Sequence, residues 1–517
     1  MEGLLEAIRF SARRNARKPA LLLTDGTTLT YGELLRAIEA GAVRLKRLGL
    51  SEGEPTLLLI QHSPQFIVQM LATMLAGGIA VPVNPSFGPA ELARISKAAG
   101  VQSWLISNSL FLKVAEQIPS AFILHSQSDT FVREEQEEEA FLQVKVAAGE
   151  TLALLFTTGS TGQPKASPLT NAGFLYVLKR CEHLIPHPES QIFSCFLPLF
   201  HVFGLTFNLL APLYFGATIS LSELFSPPRV TEILAQLIRD RVSLITAVPL
   251  IYQAMAVALE RSGLKLPAST ICINGGDYLS SSIFELFRRR TGIAIRPGYG
   301  LTETHSLVSV RALDQPYDES LPTACVGKPI LPTRIIKLRD YEGSASQEWQ
   351  ECPVGQEGEI CFSTSAANVI RSYIGDERAN AFCFQGGWFA SGDVGRLDTQ
   401  GNLYVVDRVK DIIIVGGCNI YPREIEDVLE SHPKINQAAC IGVPDPDRGE
   451  RIRAYVVLKS GETASPFEIR SFVRDRLSPL KVPYEVEFRA SLPMLGVKVN
   501  KVLLKKEIRK EGLWRAR

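Results

Sequence analysis

An apolar run, Leu152-Ala153-Leu154-Leu155-Phe156, leads straight into Thr157-Thr158-Gly159-Ser160-Thr161-Gly162-Gln163-Pro164-Lys165, and this junction constrains the chain more than any other stretch. Five consecutive apolar residues bounded by turn formers read as a buried strand. The glycines let the backbone approach an anion and turn its N–H groups inward. The hydroxyls of Thr157, Thr158, Ser160 and Thr161 offer further donors, and Lys165 adds a compact positive charge. A polyphosphate is the natural ligand of such a loop. The spacing departs from GxxxxGK[ST], because Pro164 precedes the lysine and Ala166 follows it, so an ordinary P-loop is excluded.

Around this junction the pattern alternates. Glu33 to Leu48 has helical spacing of apolar residues (Leu34, Leu35, Ile38, Ala42, Leu45, Leu48), Thr56 to Ile60 reads as a buried strand, a helix follows to Leu75, and Ile79 to Val83 is strand-like again. Such alternation predicts α/β layers. From about Thr323 to Val406 the pattern becomes short strands with Gly/Pro turns. Ala438 to Val443 and Arg453 to Lys459 are strand-like and Pro466 to Leu477 helical, which predicts a compact α+β unit. At 517 residues the chain exceeds what one core organises, so more than one domain is expected. A formal net charge of +1 gives no global field for nucleic acid. The run Val132 to Glu139 is expected to be a solvated loop or helix face.

Two uncharged stretches, Phe66 to Pro89 and Val202 to Ser222, are long enough to span a membrane. Their density of Pro, Gly and Asn predicts buried strands and turns instead, with no transmembrane segment. The nine cysteines lack CxxC pairs or regular spacing, which disfavours a zinc site or a disulfide framework. The acidic start Met1-Glu2-Gly3-Leu4-Leu5-Glu6 does not resemble a signal peptide, so a cytoplasmic location is expected.

Further motifs follow the loop in order. They are Pro198-Leu199-Phe200-His201-Val202-Phe203-Gly204-Leu205, Ile273-Asn274-Gly275-Gly276-Asp277, Gly298-Tyr299-Gly300-Leu301-Thr302-Glu303-Thr304, Gly387-Trp388-Phe389-Ala390-Ser391-Gly392-Asp393, Asp407-Arg408-Val409-Lys410-Asp411 and Gly416-Gly417-Cys418-Asn419-Ile420-Tyr421-Pro422-Arg423-Glu424-Ile425-Glu426. Together with the loop they resemble the adenylate-forming superfamily of acyl- and aryl-CoA synthetases, adenylation domains and luciferases, over about residues 10 to 510. The resemblance implies an α/β fold. A large N-terminal domain of two layered α/β subdomains plus a small β-barrel subdomain would occupy 1–406. A hinge at 407–410 and a compact, mobile α+β C-terminal domain at 411–517 would follow.

The resemblance also implies roles. ATP would lie on the loop (Thr157, Thr158, Gly159, Ser160, Thr161, Gly162, Lys165), on Gly275, Gly276 and Asp277, and on Tyr299 and Gly300, with Asp393 on the ribose hydroxyls and Arg408 on ribose or phosphate. Thr302 would bond the α-phosphate and Glu303 would hold Mg²⁺. His201, Phe203, Gly204, Leu205, Gly298 and Leu301 would line the acyl pocket, with His201 also counted among the catalytic residues. Lys410 would be the hinge, and Gly416 and Gly417 would border a thiol tunnel. Near the C-terminus, Leu492-Pro493-Met494-Leu495-Gly496-Val497-Lys498-Val499-Asn500-Lys501 departs from the family wording by one residue. Lys498 aligns with the family's catalytic lysine, and Lys501 is the competing assignment. The implied activity is ATP-dependent activation of a small-molecule carboxylic acid to acyl-AMP, then transfer to a thiol. Coenzyme A is the expected acceptor and a phosphopantetheinyl carrier protein the alternative. A nucleotide-binding protein that has lost catalysis is the alternative from another class. No acidic residue lies in Phe203-Gly204-Leu205-Thr206-Phe207, so an α-amino acid, whose buried ammonium would lack a counter-charge, is disfavoured; a fatty, short-chain or aryl acid is expected, and Asp277 leaves an amine-bearing acid open.

Overall fold

A computed structural model describes residues 3–107, 110, 123–126, 150–158, 164–338, 349–495 and 498–510. The charge run at 132–139 and Gly159, Ser160, Thr161 and Gly162 lie outside the described residues.

Two parallel-cored sheets form most of the large N-terminal part. The first runs Ser309–Val310, Ile295–Tyr299, Ile271–Asn274, Leu244–Ala247, Ile192–Cys195, Thr218–Leu221, Pro19–Leu22, Thr28–Thr30, with antiparallel strands only at its two edges. The second runs Ile123–Ser126, Ser103–Ser107, Pro55–Leu59, Ile79–Pro82, Thr151–Thr158, Pro164–Thr170, and only its last pair is antiparallel. Parallel strands need crossover helices on their faces and so read as continuous apolar runs rather than alternations. Leu57, Leu58, Leu59 and Ile60 are all buried on that account.

Local signals set the helices between these strands. Tyr31–Arg47 opens on a capping box: the Glu33 N–H donates to Thr30 Oγ1 at 3.3 Å, and the Thr30 N–H donates to Glu33 Oε2 at 2.9 Å. Pro64–Leu75 has proline in its first turn and Ser63 as its cap. This helix turns into the strand Ile79–Pro82, so the first uncharged stretch is buried core. The second is a short helix, a π-helical turn Leu205–Leu210 and the helix Ala211–Phe215, leading to the strand Thr218–Leu221. Among the described residues no helix is long and apolar enough to cross a membrane.

The stretch read as a small β-barrel is a six-stranded antiparallel sheet. Its order is Cys325–Gly327, Leu403–Arg408, Trp388–Leu397, Gly358–Ser363, Thr333–Ile336, with Phe384–Gln385 added beside Trp388–Leu397. Among the described residues its two outer strands do not pair with each other, so it is open along this path rather than closed. The smaller C-terminal part pairs Ile435–Asp445 with Gly449–Leu458, flanked by Ile413–Val415, Cys418–Ile420 and Glu485–Phe488. It has its own core around Ile425, Leu429, Ile452, Val456 and Ile469. All nine cysteines are free thiols, and no group of metal-ligating side chains is found among the described residues.

Candidate active site

Three strands of the first sheet, two of them adjacent and the third beyond Leu244–Ala247, deliver motif residues at their carboxyl ends, where ligands bind in open α/β sheets. Ile192–Cys195 runs on toward Phe203, Ile271–Asn274 into Gly275-Gly276-Asp277, and Ile295–Tyr299 into Gly300. The glycines are there because neighbours leave no room. A Cβ on Gly275 would sit 2.7 Å from the tip of the Phe203 ring, one on Gly204 would meet the Pro198 carbonyl, and one on Gly300 would overlap the Ser306 carbonyl.

That last contact closes a tight loop. The Val308 N–H donates to Tyr299 O at 2.8 Å, the Ser306 N–H to Leu301 O at 3.0 Å, and the Leu301 N–H to Thr304 Oγ1 at 3.0 Å. His305 and Ser306 take left-handed backbone, φ 54° and 94°. Such strain persists only where the surroundings over-determine it. His305 supplies much of that determination. Its Nδ1 lies 2.7 Å from Asn368 O, and its Nε2 accepts the Thr170 N–H at 2.8 Å. Asn368 Nδ2 in turn donates to Thr304 O at 3.1 Å. Gly173 leaves the space that the imidazole fills. Both ring nitrogens are committed to a neutral tautomer, and burial pushes His305 down to about 4. Its neutral form therefore contributes stability that is complete above pH 6.5 and lost as pH falls from 6.5 through about 4, on the order of 3 kcal/mol across the window. Denaturant melts at pH 7 and pH 5 should show a smaller loss in His305→Gln than in the parent, and equal losses would remove His305 from the acid response.

The loop places two carboxylate systems. Tyr299 Oη donates to Asp393 Oδ2 at 2.6 Å, and Arg408 Nε donates to Asp393 Oδ1 at 2.9 Å. Asp393 and Arg408 face each other across paired strands. The Asp393 carboxylate raises Arg408 above its ordinary range, and burial, then the same carboxylate, raises Tyr299. Ser391 donates to Ile360 O at 2.8 Å and accepts the Asp393 N–H at 3.1 Å, so the serine holds the turn. Glu303 is buried, and Tyr373 Oη donates to its Oε1 at 2.8 Å. Burial pushes Glu303 up, while Tyr373, Arg408 and Lys165 oppose the shift. Lys165 Nζ lies 4.8 Å from the centre of the Tyr373 ring.

The remaining motif residues fall as follows. Thr302 is half-buried in the turn that carries Glu303, and Thr157 pairs with Lys165 across the phosphate-loop hairpin. Leu205 is buried, and His201 is exposed, with its ring tilted against Phe200. Gly298 packs toward Asn274 O, and Leu301 packs on the main core. Asp277 is directed to Arg423 of the C-terminal part, with Nη2 to Oδ1 at 3.9 Å. Arg423 also donates its backbone N–H to Asp407 Oδ2 at 2.9 Å, and Tyr278 Oη donates to Asp427 Oδ2 at 2.6 Å. Gly416 and Gly417 form an exposed turn with φ 57° and 80°. Lys498 lies on a two-residue strand paired with Leu495. Sequence reasoning did not single out Tyr373 or His305. His305 directly follows a motif that was read, whereas Tyr373 stands in a loop without periodicity.

An α/β sheet that brings a buried carboxylate near Lys165 and gathers Asp393, Arg408 and Tyr299 into one cluster fits an ATP-dependent acid-activating ligase. The chain belongs to the AMP-binding enzyme family: that model matches residues 8–374, and the AMP-binding enzyme C-terminal domain matches 424–496. It is 31% identical to a feruloyl-CoA synthase from an Amycolatopsis species over 94% of each chain. It is 28% identical to a long-chain-fatty-acid–CoA ligase from Yersinia pestis, covering 98% of this chain and 94% of that one. Among solved structures it is similar to o-succinylbenzoate CoA synthetase from Bacillus subtilis in complex with its acyl-adenylate intermediate, with a TM-score of 0.82, 28% identity, and 96% of this chain and 97% of that one covered. The enzyme activates a carboxylic acid as acyl-AMP with ATP and Mg²⁺ and passes the acyl group to a thiol.

Proposed function

We propose that the acid has an uncharged aromatic or short aliphatic body and that coenzyme A is the acceptor. The observation that carries this reading is the wall at Gly275. Phe203 closes on that glycine, its ring centre is 5.6 Å from that of Phe207 in an edge-on pair, and the segment between them carries no acid. A flat ring slides against such a wall, whereas a long chain would have to displace Phe203. Among the described residues the stretch from Phe203 to Phe207 offers no carboxylate for an ammonium group, and the nearby Asp277 is directed to Arg423.

In this reading Tyr299 faces the adenine, and Asp393 receives the ribose hydroxyls on the lone pairs that Tyr299 and Arg408 leave over. Lys165 and the loop amides hold the β- and γ-phosphates, Thr302 the α-phosphate. Glu303 suits the metal, because a buried carboxylate with one oxygen fixed by Tyr373 offers a hard oxygen donor beside the phosphate lysine. The bound Mg²⁺ would neutralise phosphate charge during attack. Lys498 then brings the carboxylate to the α-phosphorus, and pyrophosphate leaves; no protein nucleophile is needed, only position and charge. For the second step the part from 411 onward would swing about Lys410, bringing Gly416 and Gly417 to the thiol path.

The test is acid-dependent ATP–pyrophosphate exchange over cinnamic, benzoic, short-chain and long-chain acids, followed by coenzyme A and a holo-carrier protein as acceptors. Exchange with aryl or short acids and transfer to coenzyme A is the expected result. Exchange only with long-chain acids would overturn the acid assignment, transfer only to the carrier would establish the protein-acceptor reading, and ATP binding without exchange would mark a degenerate site.

A further inference from the structure

The segment Ile370 to Ile374 touches both halves of the phosphate machinery. At one end the Ile370 N–H donates to Glu303 O at 2.9 Å, and at the other the Ile374 N–H donates to Ala166 O at 3.0 Å, next to Lys165. Between them Tyr373 is buried. Its backbone is gripped twice by one side chain: its N–H donates to Asn380 Oδ1 at 2.7 Å, and its carbonyl accepts from Asn380 Nδ2 at 2.9 Å. Asn380 belongs to the helix Glu377–Cys383, which Asp376 caps by accepting the Ala379 N–H at 2.9 Å. Phe384 packs edge-on against the Tyr373 ring, with centroids 5.8 Å apart. The ring is thus held from behind, and both of its free ends point to function. The hydroxyl bonds Glu303 Oε1, and the face lies under Lys165 Nζ.

We propose that Tyr373 is a positioning residue that fixes the Glu303 carboxylate for the metal and seats Lys165 for the terminal phosphates, so that one side chain sets the distance between them. This rests on the reading of Glu303 as the metal carboxylate. Its two contacts are chemically separable. A hydrogen bond to a carboxylate needs the hydroxyl; a cation over a ring needs only the aromatic face. Tyr373→Phe removes the first and keeps the second, and Tyr373→Leu removes both.

The experiment measures ATP and AMP affinity by calorimetry, with Mg²⁺ and with EDTA, on the full chain. In Tyr373→Phe the gain in ATP affinity on adding Mg²⁺ should shrink by about tenfold, the loss of one charge-assisted hydrogen bond, while AMP affinity holds. In Tyr373→Leu the preference for ATP over AMP should also fall in EDTA, because Lys165 loses its seat. Asn380→Ala, which touches neither Glu303 nor Lys165, should weaken the Mg²⁺ gain in the same direction, and it decides the matter if the tyrosine variants fail to fold. Glu303→Gln separates the two readings. If it abolishes the Mg²⁺ gain while Tyr373→Phe and Asn380→Ala leave the gain unchanged, the positioning role is overturned and the metal site stands. If Glu303→Gln itself leaves the gain intact, the metal reading fails and Tyr373 falls with it.

Discussion

Replacing Asp393 with alanine is expected to raise the ATP KM for adenylation by roughly 100-fold or more, from the loss of two charge-assisted hydrogen bonds worth about 1.5–3 kcal/mol each. The argument starts from the turn that carries it. Gly392 has φ 75°, its N–H donates to Glu359 Oε1 at 3.1 Å, and Ser391 ties the turn to Ile360, so the carboxylate is aimed before any ligand arrives. One oxygen takes the Tyr299 hydroxyl and the other Arg408 Nε. A carboxylate has about four acceptor positions, so two remain for a pair of vicinal hydroxyls. The fold should survive the change. The Arg408 side chain is 40% exposed, so water can replace its lost partner. Asp393→Asn should fall between parent and alanine, since the amide keeps one acceptor but loses the charge. With Asp393 on the ribose, both half-reactions would use the contact, so acyl transfer from added acyl-adenylate should weaken alongside. An unchanged ATP KM in folded Asp393→Ala would remove Asp393 from the ribose.

What the sequence made legible was chemistry concentrated in short glycine turns and elements with a clear period. The helix over Tyr31–Arg47 shows its apolar spacing and its capping box in the letters themselves. Tyr299 and Asp393 lie 94 residues apart in sequence, yet each stands in a local pattern of its own, and their meeting is a consequence of the fold. Tyr373 had no such pattern. It sits in a loop, and what makes it matter is contact with Glu303, 70 residues away, and with Lys165. Periodicity reports which face of an element is buried and is silent about loop side chains. The cue available was indirect: Gly375, then Asp376 as a helix cap, marks a turn that ends a buried segment. The Asp277 to Arg423 pairing was likewise out of reach, because it depends on how the C-terminal part sits against the first sheet. Gly173 shows the converse. Its glycine reads as an unremarkable helix position, and only the His305 ring packed against it explains the missing Cβ.

The two C-terminal lysines should separate cleanly by experiment, because the structure gives them different surroundings. Lys501 Nζ is 2.7 Å from Glu426 Oε1, and both side chains are largely buried, at 16% and 15% exposure. The same Glu426 oxygen accepts the Cys440 N–H at 2.7 Å, so the pair pins the helix Lys501–Lys510 to the strand Ile435–Asp445. Burial disfavours the Lys501 charge, but Glu426, then Asp407 and Asp411, outweigh it and raise Lys501 above its usual range. A lysine so engaged is expected to serve as a structural cation. Removing one partner of a buried pair strands the other, so Lys501→Ala should cost roughly 3–5 kcal/mol of stability in the C-terminal part. Lys498 instead belongs to a small hairpin, Met494–Leu495 with Lys498–Val499, closed by the Asn500 N–H donating to Pro493 O at 2.7 Å. Lys498→Ala should therefore lower pyrophosphate exchange by about 10²–10³-fold, the scale for deleting one preorganised charge at a reacting centre. Its melting temperature and its acyl transfer from synthetic acyl-adenylate should stay near those of the parent. The opposite pattern, with Lys498→Ala active and Lys501→Ala stable but unable to adenylate, would move the catalytic role to Lys501 and require the Glu426 pair to open during the first half-reaction.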